Sequence, residues 1–203
     1  MLKQNSLYLG DCIDLFEKVE DHTIDLIFLD PPYNLQLNKV LTRPNHSVVN
    51  GVTQDWDKFD SYASYDEFTL SYLSECKRVL KPDGGLWIIG SYHNIFRIGK
   101  ILQDLNFWIL NDVIWAKSNP LPNFRATRLT NAHETLIWCS KKPKSRYQFN
   151  YHTLKVANED KQERSIWNFP ICSGKERIKN KTNQTAHPTQ KPVSYTHLRA
   201  HET

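Results

Sequence analysis

Glycine is in short supply. Seven glycines in 203 residues is about 3.4%, roughly half of ordinary usage. They stand at positions 10, 51, 84, 85, 90, 99 and 174, and no two of them form a G-x-G turn. Cysteine is sparse as well. Cys12, Cys76, Cys139 and Cys172 lie at least 33 residues apart with no C-x-x-C, which excludes a zinc knuckle and a disulfide framework and reads as buried thiols. No apolar run approaches the ~20 residues that a membrane-spanning helix needs. The opening Met1-Leu2-Lys3-Gln4-Asn5-Ser6 lacks the apolar core of a signal peptide, so a cytoplasmic location and no membrane partner are expected.

Hydrophobic residues make up 39% and aromatics 12%, enough for one packed domain with at most a small appendage rather than a disordered chain. The net charge of +4 hides an asymmetry. Residues 1–100 carry 10 Lys and Arg against 14 Asp and Glu, a net of −4, and residues 101–203 carry 16 against 8, a net of +8. The basic half is a candidate face for a polyanion. Its cations interleave with aromatics and amides, as in Asn123-Phe124-Arg125-Ala126-Thr127-Arg128, which suits joint phosphate and base contacts.

Strand-like and helix-like stretches alternate, which predicts an α/β fold with a mostly parallel sheet and an antiparallel edge. Expected strands cover residues 7–9, 24–29, 86–90, 107–115 and 135–139. Expected helices follow Gly10-Asp11 and cover 65–80 and 94–105. The segment 81–85, Lys-Pro-Asp-Gly-Gly, reads as a helix stop. Two polar loops interrupt the pattern at 34–58 and 117–133, and weaker signals appear at 147–149 and 166–169. The first loop is expected to lack regular structure, and so long a segment is usually functional.

Asp30-Pro31-Pro32-Tyr33 directly follows the strand Ile24-Asp25-Leu26-Ile27-Phe28-Leu29. Ligands of open parallel sheets bind beyond the carboxyl ends of strands, and this is such an end. Each residue has a task if the substrate is an exocyclic amine on a nucleobase, whose lone pair is delocalised into the ring. The Asp30 carboxylate and the Pro31 carbonyl can each accept one amine hydrogen, drawing the nitrogen toward tetrahedral geometry and freeing its lone pair. The prolines fix φ and remove competing N–H donors. Tyr33 offers a face on which a base taken out of its helix can stack. Only 29 residues precede Asp30, too few for a cofactor-cradling strand, turn, helix and second strand.

The sequence resembles the DNA adenine-N6 methyltransferases that use S-adenosylmethionine, in the permuted (beta) class where the catalytic motif comes first. Blocks that carry the resemblance are Asp30-Pro31-Pro32-Tyr33-Asn34-Leu35-Gln36-Leu37, Trp56-Asp57-Lys58-Phe59-Asp60, Gly90-Ser91-Tyr92-His93-Asn94-Ile95-Phe96, Ile109 to Trp115, Ser118-Asn119-Pro120, Asn131-Ala132-His133-Glu134-Thr135-Leu136 and His187-Pro188-Thr189-Gln190-Lys191-Pro192. They match the cell-cycle-regulated and HinfI-type subgroup and imply the target GANTC in double-stranded DNA, within a restriction-modification setting. The resemblance also implies catalytic roles for Asp30, Pro31, Pro32 and Tyr33. It implies cofactor contacts for Asp11, Asp30, His187, Thr189, Gln190 and Lys191, although Asp11 equally suits a helix N-cap. DNA contacts are expected from Arg43 and Asn45 on the first loop and from Asn123, Arg125 and Arg128 on the second. No metal is expected, since methyl transfer needs none, and His93 and His133 read as structural. A homodimer and a partner endonuclease stay open.

Members of the subgroup continue past the His187 block with a helix, a strand and a Gly-x-Gly turn. The resemblance therefore casts residues 1–193 as a partial methyltransferase domain and 194–203 as a tail of non-native origin, with impaired cofactor binding and turnover in the chain alone. Two alternatives remain, a DNA-binding module without turnover and a cytosine-N4 methyltransferase, although the latter more often carries Ser where Asp30 stands. Replacing Arg43 or Arg128 by alanine is expected to weaken duplex binding by about 1–3 kcal/mol. A titration at fixed salt checks it, and wild-type affinity in either variant removes that arginine from the DNA face.

Overall fold

A computed structural model describes residues 2–35, 57–123 and 126–172, together with the backbone of two short strands at 41–42 and 48–49. Elements run in the order α1 (Cys12–Phe16), β1 (Ile24–Leu29), β2 (Leu41–Thr42), β3 (Val48–Val49), α2 (Tyr62–Val79), β4 (Leu80–Gly90), α3 (Ile95–Asp104), β5 (Trp108–Lys117), β6 (His133–Ser140), α4 (Tyr151–Ala157) and β7 (Ile166–Phe169). Five strands form one sheet in the order β1-β4-β6-β5-β7, and β2 pairs with β3. β1 runs parallel to β4, and β5 parallel to β7. The Lys117 amide, at the end of β5, donates to the Ala132 carbonyl just before β6, as antiparallel neighbours joined by a loop require. The expected mixed α/β sheet is present. Its outer position beside β5 is taken by β7, from the weak signal at 166–169.

Two compact units divide the chain. The first comprises residues 1–36, 54–112 and 137–148, and the second residues 37–53, 113–136 and 149–203.

In the first unit α2 begins at a capping box. Ser61 Oγ accepts from the Ser64 amide at 3.0 Å, and the Ser61 amide donates to Ser64 Oγ at 3.2 Å, satisfying two backbone donors that a helix start otherwise leaves unpaired. Tyr65, Thr69, Tyr72, Leu73, Cys76 and Val79 recur at helical spacing and form its buried face. Tyr72, Leu73, Cys76 and Val79 join Leu80, Leu86 and Ile88 of β4 and Ile98, Ile101 and Leu102 of α3 in the core. Trp87 and Trp138 stack on one another, 5.1 Å apart and 6° from parallel. Arg78 fastens the turn after α1, which spans only five residues. Its guanidinium donates to the carbonyls of Phe16 and Val19 at 2.8 and 2.9 Å and meets Asp21 and Glu75 at 2.6 Å. These partners raise the Arg78 pKa and lower that of Asp21.

Several boundaries differ from the sequence reading. Residues 7–9 form no strand, and Leu7 and Leu9 are fully exposed; with no strand to pair among the described residues, strand propensity alone does not make a strand. The helix ends at Val79, as the stop signal at 81–85 predicts, but the strand begins at Leu80 rather than at 86 and takes that stretch in as a bulge. Ile24 pairs with Leu80 and Leu26 with Gly85, so β1 advances two residues while β4 advances five. Gly84 makes that possible: a Cβ there would sit 2.9 Å from Leu80 Cδ2 and 3.1 Å from the Ile24 and Asp25 carbonyls. The loop at 34–58, expected to be without regular structure, contains the antiparallel pair Leu41–Thr42 and Val48–Val49.

In the second unit Trp115 is buried against Phe169, with ring centroids 5.1 Å apart, and its Nε1 donates to the Phe169 carbonyl at 2.9 Å. Lys117 pairs with Glu134 at 2.5 Å, each side chain 13% exposed. Helix α4, which the sequence reading lacks, buries Leu154.

Three cysteines are buried and Cys12 is exposed, against the expectation of four buried thiols. Position one of a short helix with no buried residue explains the difference. Burial pushes the Cys139 thiol up to about 12 and Cys76 higher still, so neither forms thiolate near neutrality. Treatment of the folded protein with iodoacetamide at pH 8 is expected to label Cys12 alone, with Cys76, Cys139 and Cys172 reacting only after denaturation. Peptide mass mapping checks it.

Candidate active site

The Asp30-Pro31-Pro32-Tyr33 loop leaves β1 beside the end of β4, its parallel neighbour, with Leu29 paired to Ile88. Asp30 is exposed, whereas Pro31, Pro32 and Tyr33 are half-buried. Asp30 thus stands exposed at the head of a more buried loop, at the carboxyl edge where parallel sheets place ligands.

Three side chains converge on one peptide unit of this loop. The Pro32 carbonyl accepts from the Tyr65 hydroxyl at 2.9 Å and from Asn94 Nδ2 at 3.2 Å. The N–H of the same unit, on Tyr33, donates to Asp57 Oδ1 at 2.6 Å. Asp57 then takes two further amides, Asn34 at 2.9 Å and Leu35 at 3.1 Å. Charge-assisted bonds from backbone N–H groups to a carboxylate are among the stronger hydrogen bonds in proteins. Asn34 adopts φ 53°, a left-handed conformation that Asn tolerates better than most residues. That bend curls three successive amides around one carboxylate.

The holding residues are themselves held. Tyr65 and Asn94 are each 1% exposed, and Asp57 is 3% exposed. Asn94 Nδ2 also donates to the Tyr65 hydroxyl at 3.2 Å, and its Oδ1 accepts the Ser91 amide at 3.0 Å. Phe59 packs edge-on against the Tyr65 ring, 5.0 Å between centroids. Burial raises the Tyr65 phenol above its ordinary value, so it keeps its proton and stays a donor. Gly90 is needed for this packing, because a Cβ would fall 2.7 Å from Asn94 Oδ1 and 3.2 Å from Ile95 Cδ1.

The other candidate residues distribute as follows. Asp11 caps α1, its Oδ1 accepting the Ile13 amide at 2.8 Å. Asn123 and Arg128 belong to the second unit, on the loop between β5 and β6; there the Ala126 amide donates to the Asn123 carbonyl at 3.0 Å, and Arg128 is exposed. Asn119, from the Ser118-Asn119-Pro120 block, accepts the Ile171 amide at 2.8 Å. Arg43, Asn45, Arg125, His187, Thr189, Gln190 and Lys191 lie outside the described residues. Among the described residues no group of His, Cys, Asp or Glu is arranged to hold a metal ion, and no helix is long and apolar enough to cross a membrane. The sequence reading assigned no role to Asp57, Tyr65 or Asn94. Asp57 and Asn94 stand in blocks that carry the family resemblance, but nothing in their spacing shows that they meet.

A five-stranded mixed α/β sheet with a D-P-P-Y loop at the carboxyl end of β1 is a methyltransferase-like fold. The DNA methylase family profile matches residues 24–198, and the chain belongs to that family. It is 53% identical over 190 residues to the type II methyltransferase M.HinfI of Haemophilus influenzae, covering 94% of this chain and 53% of that protein. To the type II methyltransferase M2.MboI of Moraxella bovis it is 41% identical over 192 residues, covering 94% and 68%. The chain therefore spans about half the length of the first relative and two thirds of the second. Among solved structures, the PvuII DNA methyltransferase (cytosine-N4-specific) shares the fold, with a TM-score of 0.67 over 96% of this chain and 70% of that one at 18% identity.

Replacing Gly90 by alanine is expected to displace Asn94 and to destabilise the fold by about 1–3 kcal/mol. Thermal unfolding checks it, through a Tm lowered by several degrees; an unchanged Tm shows that the cradle around Asn94 is loose.

Proposed function

We propose that the chain carries the base-modifying part of an S-adenosylmethionine-dependent DNA methyltransferase that acts on adenine N6 in duplex DNA, with GANTC as the target. The single observation that carries this reading is the D-P-P-Y loop, rigidly backed and opening from the carboxyl edge of a parallel sheet. The 53% identity to M.HinfI supports the type II assignment, and with it a restriction-modification role in the cytoplasm.

The adenine leaves the helix and its ring stacks on Tyr33, at an unstacking cost of a few kcal/mol. Asp30 accepts one N6 hydrogen and the Pro31 carbonyl the other, which localises the nitrogen lone pair for attack. Two acceptors favour an amine over a keto oxygen at that position, so the site selects against thymine and guanine by leaving them unpaired. The N6 proton shed on bond formation passes to Asp30, which is exposed and can release it to water. S-adenosylmethionine, when bound, supplies the electrophilic methyl group. The chemistry of the donor set suits it: the carboxylates of Asp11 and Asp30 accept hydrogen bonds from ammonium and hydroxyl groups, and His187, Thr189, Gln190 and Lys191 would add contacts. Arg43, Asn45, Asn123, Arg125 and Arg128 would hold phosphates and base edges.

Incubating the protein with a GANTC duplex and methyl-labelled cofactor tests the proposal. Slow labelling of N6-methyladenine is expected, in keeping with the impaired turnover expected of the chain alone, and it falls by at least about a hundredfold for Asp30→Ala, in line with the loss of a directly acting group. Label in N4-methylcytosine overturns the adenine assignment, and salt-dependent duplex binding without label overturns the enzyme reading in favour of a binding module.

A further inference from the structure

We propose that Asp57, Tyr65 and Asn94 are positioning residues for methyl transfer, which aim the Pro31 carbonyl and the Tyr33 ring by gripping the Pro32–Tyr33 peptide unit from both ends. The inference rests on the reading of the D-P-P-Y loop as the methyl-transfer site.

A peptide unit is a rigid plane. Here its oxygen is fixed by two donors, Tyr65 Oη at 2.9 Å and Asn94 Nδ2 at 3.2 Å, and its N–H by one charged acceptor, Asp57 Oδ1 at 2.6 Å. Three anchors on a plane leave it no rotation about the chain. On the upstream side Pro32 has its φ set by the ring, so ψ of Pro32 is the one soft torsion between the gripped plane and the Pro31 carbonyl. On the downstream side the grip fixes the plane from which Tyr33 projects, and Asp57 extends the hold through the Asn34 and Leu35 amides.

The anchors reach the loop from three places, the segment before α2, the first turn of α2 and the residue capping α3. None of the three is surface-exposed, so a base stacked on Tyr33 meets a loop whose orientation is already decided by the core. Pre-set orientation matters because a misplacement of about 1 Å at a reacting group costs roughly a hundredfold in rate. A grip of this kind acts mainly on the chemical step and changes DNA affinity little, since the proposed phosphate and base-edge contacts, from Arg43, Asn45, Asn123, Arg125 and Arg128, lie on other loops.

Tyr65→Phe deletes one anchor without changing volume, and Asp57→Asn keeps one acceptor oxygen while removing the charge. For each, single-turnover methyl transfer to a GANTC duplex is expected to slow by roughly ten- to a hundredfold, with the KM for DNA within about twofold of wild type by the same reasoning. The double variant is expected to lose much less than the product of the two effects, because both act through one peptide. Unchanged kcat in Tyr65→Phe, or losses that simply multiply, overturns the proposal while the active wild type keeps the methyl-transfer reading intact. A wild type that methylates no adenine overturns that reading, and the positioning role with it. Amide exchange in wild type serves as the measurement that needs no variant to fold: the Tyr33 amide is expected to exchange slowly, and exchange at the rate of an open loop overturns the grip.

Discussion

The site depends on one hydrogen-bonded plane. Side chains from three separate stretches close on the Pro32–Tyr33 peptide, two donors on its oxygen and a carboxylate on its nitrogen. Each of the three side chains belongs to a buried residue, and leaving such a polar group unpaired would cost about 1–3 kcal/mol. The cluster is stable because its members satisfy one another. A buried polar network has few ways to be satisfied and many ways to fail, so the same bonds that remove the penalty also select a single loop conformation.

That selection reaches back into the core. Tyr65 opens the buried face of α2, which continues through Tyr72, Cys76 and Val79 to the sheet. Asn94 packs against Gly90 at the tip of β4, in contact that no larger residue would permit. The apolar packing of helix on strand therefore places the hydroxyl and the amide, and the hydroxyl and the amide place the loop. Glycine is spent sparingly in this chain, and two of its seven sit where backbone or side chain must come close, at the bulge of β4 and beneath Asn94.

The motif itself was legible in the sequence because strand, turn and chemistry are contiguous at Ile24 to Tyr33. The α/β alternation and the long helix were legible too, from the apolar spacing of Phe68, Tyr72, Leu73, Cys76 and Val79. What stayed hidden was whatever depends on partners distant in the chain. Asp57 lies 24 residues from the amide it accepts, and Asn94 lies 62 from its carbonyl; an Asp in a polar loop and an Asn before a helix are ordinary residues until the fold brings them in. The strand expected at residues 7–9 failed for the converse reason, since a short apolar run marks a segment fit for pairing and says nothing of whether a neighbour is there. The Pro-Asp-Gly-Gly stretch after α2 does end the helix, but the strand that already runs through it was hidden because turns and bulges use the same residues.

That bulge carries a further consequence for how such a chain can change over generations. β4 takes five steps where β1 takes two, and every residue after Gly85 returns to strict alternation between the faces of the sheet. Inserting or deleting one residue within 81–84 would be absorbed as a longer or shorter bulge, leaving Ile88 in the core and Gly90 under Asn94. The same change after Gly85 would turn the four side chains of Leu86 to Ile89 to the opposite face and carry the loop's support away with them. Length variation in this strand is thus confined to four positions by the geometry of the pleat, and the active-site end is the part that cannot drift.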